Sequence, residues 1–165
     1  MSKPRFTTQQ MAAAGIIAAI YAALTLLLPI PQYGGIQFRV AEAMTVLPFL
    51  FPEAIPGLTV GCFLAIPLDW IVGTAATLLA ALWTSKLHHR ALAPLPPVIC
   101  NMVLVGAEIA WFSTQEGAAF WPAFAFNSLT VGIGEAAACF ILGSLLLRVL
   151  PRVPALKGRI ASSRI

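Results

Sequence analysis

Seven polar side chains stand in or beside long apolar runs, where placing them is costly: Arg39, Glu42, Asp69, Asn101, Glu108, Asn127 and Glu135. A carboxylate shielded from water accepts two adjacent N–H bonds, and an amide both donates and accepts. Together they describe a polar pocket within an apolar protein. Ionisable groups at membrane depth mark solute or ion pathways, with mutual pairing as the structural alternative. Arg39 and Glu42 are three residues apart and share a helical face, so an ion pair would satisfy both. Asn101 and Glu108 are seven apart on one helical stripe, whereas Asn127 and Glu135 are eight apart and diverge by about 80° around a helix. Trp70, Trp111 and Trp121 stand near these groups as stacking surfaces or as interfacial anchors. There is no GxxxxGK[ST] phosphate loop, no HExxH helix and no GxSxG elbow, so no catalytic residue, cofactor or metal is assigned. Cys62, Cys100 and Cys139 lie singly in apolar runs and read as small packing residues.

The elements that must hold these groups follow from composition. Only 10% of the 165 residues are charged while 59% are hydrophobic, and the mean hydropathy is +0.89. That is the composition of a bilayer protein rather than of a soluble domain. We expect residues 1–165 to form a single integral membrane domain of all-α class, with six transmembrane helices. The spans are placed at Met11–Leu28, Ile36–Phe51, Ala54–Ile66, Trp70–Trp83, Val98–Phe112 and Trp121–Leu150. Spans two to four fall short of a full crossing of about 20 residues. Lys3 and Arg5 ahead of an apolar run resemble a signal peptide, but no cleavage signal follows. The net charge of +4 belongs to topology and not to nucleic-acid binding, because the basic residues have no soluble fold around them.

Six spans with both termini cytoplasmic put nine of the ten basic residues inside and leave only Arg39 toward the outer face. The connection with Glu116 and no basic residue falls outside. Arg39, Glu42 and Asp69 then sit at the entrance of an outward-facing polar pocket. On the first span Ala14, Ala18 and Ala22 recur every four residues beside Gly15, Ala19 and Ala23. Small residues in this register let a second helix approach closely, either within the protein or from a separate subunit.

The run Gln37-Phe38-Arg39-Val40-Ala41-Glu42-Ala43, with Val46-Leu47-Pro48 and then Pro52 through Cys62, resembles the queuosine precursor transporter family. Asp69 followed by Gly73-Thr74-Ala75-Ala76-Thr77-Leu78 extends the resemblance, and Asn101, Glu108 and Gly134-Glu135 are weaker matches. The resemblance implies a substrate-binding S component of an energy-coupling factor (ECF) transporter in the bacterial cytoplasmic membrane. Its partners would be a transmembrane coupling subunit and two ATPase subunits, and the first-helix stripe Ala14, Ala18 and Ala22 would be the docking surface. Its ligand would be a 7-deazaguanine base, bound by Arg39, Glu42, Asp69, Trp70, Asn101, Glu108, Trp111, Asn127 and Glu135. Ile66 departs from the Asn expected there. An S component for another vitamin, or a stand-alone ion-coupled transporter with Glu108 and Glu135 as a proton relay, is the alternative.

The charge asymmetry makes a direct prediction. With the three native cysteines replaced, a cysteine at Gln115 is labelled by an impermeant thiol reagent added outside sealed right-side-out vesicles, and one at His89 is not. Labelling at position 89 contradicts the six-span orientation.

Overall fold

The computed structural model describes residues 6–27, 39–65, 71–157 and 160. Its main elements are α1 (Thr8–Leu27), a 3₁₀ segment (Val40–Phe49), α2 (Ala54–Ala65), α3 (Val72–Lys86), α4 (Leu95–Gln115) and α5 (Phe120–Ala136). The chain continues from α5 through a π-helical stretch (Ala137–Gly143) into α6 (Ser144–Val149). No strand occurs among the described residues. Six helical segments therefore stand where six spans are expected, the sixth being the run from α5 to α6. The fourth continues three residues past Trp83, and the fifth begins three residues before Val98.

Local chemistry sets these ends. The Thr7 N–H donates to Gln10 Oε1 (2.9 Å) and the Gln10 N–H to Thr7 Oγ1 (3.3 Å), a capping box that starts α1. Pro96 and Pro97 fall in the first turn of α4, where a missing N–H leaves no helical bond unmade. At the other end of α4, Gly117 at φ 92° lets the Ala118 N–H reach Ser113 O and the Gly117 N–H reach Thr114 O, both at 3.1 Å. The second segment includes Pro48 and winds as a ten-residue 3₁₀ helix. At about 2 Å rise per residue it covers roughly 20 Å, a third more than the same residues would as an α-helix. Overwinding thus recovers part of the length that the short second span lacks.

Three close packings fix the relative directions. An added Cβ on Gly57 would stand 2.7 Å from Ala14 O, and one on Gly61 would stand 2.8 Å from Ala18 O, so α2 runs parallel to α1 at close range. Gly106 packs on Ser128 and Gly132 on Met102, so α4 and α5 are antiparallel. Cys139 meets Glu42 and Thr45, and Gly143 meets Ala43 and Val46, so the 3₁₀ segment runs parallel to the π stretch. The directions therefore alternate along the chain. Lys86, Arg90, Arg148 and Arg152 gather at one end, with Glu116 at the other.

Two apolar clusters bind the bundle. The larger joins Tyr21, Val46, Phe49, Leu58, Cys62 and Leu147, drawn from α1, the 3₁₀ segment, α2 and α6. The smaller joins Ala76, Val105 and Val131 of α3, α4 and α5. Large apolar side chains also face outward from the α-helices and the π stretch, including Ile20, Phe63, Leu79, Val103, Leu129 and Ile141, while the 3₁₀ segment with Glu42, and Asn101 and Glu135, are buried. In water such an apolar exterior would be a liability; against hydrocarbon it is the required one.

The Ala14–Ala18 contact with α2 makes a test. Gly61→Ala should lower stability by about 1–3 kcal/mol, because the new methyl has backbone rather than a movable side chain in its path. Gly15→Ala, which meets nothing within 4 Å, should not lower it. Thermal unfolding of both variants in one detergent checks the pair; equal midpoints contradict the packing.

Candidate functional site

All six segments send a residue to one buried polar cluster. Tyr21, wholly buried on α1, donates its hydroxyl to Glu42 Oε1 at 2.5 Å. Glu42 stands in the first turn of the 3₁₀ segment and is 1% exposed. Its backbone carbonyl accepts from Thr45 Oγ1 at 2.6 Å and from Cys139 Sγ at 3.4 Å. The Cys139 thiol also lies 3.8 Å from Glu135 Oε2, so one sulfur in the π stretch touches both carboxylate-bearing residues. On the neighbouring side Thr77 Oγ1 of α3 donates to Cys62 Sγ of α2 at 3.4 Å.

Glu135 is the second buried carboxylate, at 4% exposure. The charges of Glu42 and Arg39 both act on it, and Asn101 lies beside it. Asn101 is 2% exposed, and its side-chain amide is directed at the Glu135 carboxyl as a donor. The cluster therefore holds two carboxyl groups, one guanidinium, one phenol and one amide. Burying such groups costs several kcal/mol each unless they are paired. The arrangement can accept N–H bonds from a solute and donate one in return.

The other expected site residues divide by depth. The α4–α5 register that sets Gly106 against Ser128 and Gly132 against Met102 brings Glu108 to the level of Asn127. That level is about 10 Å from Asn101, seven residues along α4 toward the Glu116 end. Both side chains are half-buried, and Asn127 Nδ2 donates to Ala123 O of its own helix at 2.8 Å. Arg39 and Glu42, expected at the entrance, are instead interior, because the start of the 3₁₀ segment is covered by α1 and by the π stretch. Trp111 and Trp121 are 62% and 75% exposed and face away from the cluster, as anchors in an interfacial belt do. Asp69 and Trp70 lie outside the described residues, as does Ile66. Ala14 and Ala18 are engaged by α2, so of the two readings of this stripe the internal packing is the one observed.

Tyr21 was not among the expected site residues, although its signal was present. It follows Ala14 and Ala18 at helical spacing and precedes Thr25, so all four share one face of an apolar helix. Thr45 and Cys139 left no comparable mark. Their contribution depends on the 3₁₀ and π geometries that bring them together. Removing the Tyr21 hydroxyl should cost about 1–3 kcal/mol, since Glu42 loses a buried donor. Tyr21→Phe is therefore expected to unfold earlier in a denaturant titration, and an unchanged midpoint would remove this bond from the structure's support.

Polar groups inside, apolar side chains outside and alternating helix directions define a multi-pass membrane protein. The family model described as QueT transporter matches residues 11–152, and the chain belongs to that family, a family of transporters. No curated protein and no solved structure matches the chain.

Proposed function

We propose that the protein is the substrate-binding S component of an ECF transporter in the bacterial cytoplasmic membrane, and that it takes up a queuosine precursor, a 7-deazaguanine base. The basic end of the bundle and both chain termini would be cytoplasmic, and the whole chain would act as one membrane domain. The observation that carries this reading is the buried Glu42–Glu135–Asn101 cluster in a chain of the QueT transporter family. A guanine-like base offers adjacent N–H donors and a carbonyl, which two carboxylates and an amide complement. Glu108 and Asn127, one level nearer the outer end, would line the approach together with Asp69.

The chain has no nucleotide-binding loop, so on this reading the energy for uptake comes from the two ATPase subunits through the transmembrane coupling subunit. Because α2 occupies Ala14 and Ala18, docking of the coupling subunit would fall to the outward line Gly15, Ala19 and Ala23 on α1.

Glu135→Gln tests the reading. The amide supplies one acceptor and turns a donor toward the ligand's own donors, a loss of about 2–4 kcal/mol, or roughly 30- to 1,000-fold in affinity. Calorimetric titration of the purified protein with 7-deazaguanine should show that loss in Glu135→Gln, and a milder one in Glu108→Gln. Near-native affinity in Glu135→Gln contradicts a binding role for the buried cluster.

A further inference from the structure

An apolar groove of about 600 Å³ lies between α1, the 3₁₀ segment and the helix that ends in α6. Ile17 and Leu24 of α1, Met44 and Leu47 of the 3₁₀ segment, and Leu145 and Leu146 of α6 line its walls. Among the described residues that line it, Glu53 alone is polar, and it is buried and already engaged within the protein. Ile16, Ile20 and Leu145 stay exposed along the groove, so it opens from the side of the bundle, where hydrocarbon stands.

Its length and its charged foot narrow the occupant. Along α1 the lining runs from Ala13 to Leu24, about 16 Å at helical rise. That is the depth of one bilayer leaflet, about 15 Å. A helix with its side chains is about 10 Å across, too thick for a groove of this volume and length, whereas a single acyl chain fits. The foot of the groove, at Ala13, Phe51 and Leu150, lies at the basic end of the bundle. Arg148 follows the lining Leu145 by three residues on one helical face, and Arg152 stands between the lining Leu150 and Leu156. Both arginines are exposed, and a guanidinium fork matches the oxygens of a phosphate.

We propose that the groove holds one acyl chain of an anionic phospholipid from the leaflet at the basic end, with Arg148 and Arg152 on its phosphate headgroup. The tail lies against two of the three side-chain rows of the 3₁₀ segment, that of Val40 and Ala43 and that of Met44 and Leu47. The third row carries Glu42 and Thr45 toward Cys139. Lipid and buried polar cluster thus occupy different faces of one segment, and the lipid site stands whatever solute the cluster binds.

Native mass spectrometry of the full-length protein, delipidated in detergent and titrated with phosphatidylglycerol or phosphatidylcholine of identical chains, counts the lipids bound. The native protein is expected to hold one phosphatidylglycerol at least about 10-fold more tightly than phosphatidylcholine. Arg148→Gln combined with Arg152→Gln should erase that preference, at about fivefold per arginine. Ala13→Trp, which fills the groove, should weaken both lipids by about 10-fold or more, whereas Val103→Trp, on the outward face of α4, should change neither. A phosphatidylglycerol with a photoreactive group in its tail should label groove residues of α1 and α6 in the native protein, a reading that needs no variant to fold. Equal affinity for the two lipids, unchanged binding in Ala13→Trp, or tail labels spread evenly over Val103 and Leu129 overturns the inference. So does a dimer in the same spectra that Ala13→Trp dissolves, which assigns the groove to a second copy of the chain.

Discussion

Two carboxylates buried in the middle of an apolar bundle constrain everything around them. Glu42 is held there by the Tyr21 hydroxyl, and Glu135 has the Cys139 thiol and the Asn101 amide beside it, groups delivered from several helices at once. Tyr21 supplies the hydroxyl, and it can do so only because α1 lies against α2 at glycine-limited distance, with Ala14 and Ala18 in the contact. Close packing on one side of the bundle is thus a condition for the polar chemistry at its centre.

The irregular helices serve the same requirement. Along the 3₁₀ segment, side chains at every third residue stack nearly in line, which keeps Glu42 and Thr45 on one side facing Cys139. The π stretch that begins just after Glu135 widens the partner helix, and Gly143 lets Val46 and Ala43 settle against it. Overwound and underwound backbones pack in parallel, and Cys139 links Glu42 to Glu135 across them. Regular α-helices of the same sequence would rotate these side chains progressively away from one another.

Much of this architecture was legible in the residues. Apolar runs and prolines located all six helical segments within a few positions, and the distribution of Lys and Arg anticipated a basic end. The choice of Glu135 and Asn101 followed from their intrusion into apolar runs. Their depth relative to Glu108 and Asn127 did not, since that depends on the α4–α5 register set by Gly106 and Gly132. The stripe on α1 was visible as a smooth surface, but a smooth surface does not name its neighbour; only Gly57 and Gly61 on α2 do so. Arg39 and Glu42 were placed at the entrance by the distribution of charge along the chain, which orders residues by depth but says nothing of whether neighbouring helices close over them.

Membership in a transporter family gives the buried cluster its functional setting, and on the proposed reading the cluster is where the solute is recognised. The most direct measurement is an experimental structure of the protein with 7-deazaguanine bound. The account predicts the base between the 3₁₀ segment, α4 and α5, its polar edge within about 3 Å of Glu135 and Asn101. A base seated only between Glu108 and Asn127, with the Glu42–Glu135–Asn101 cluster closed and unoccupied, would contradict it.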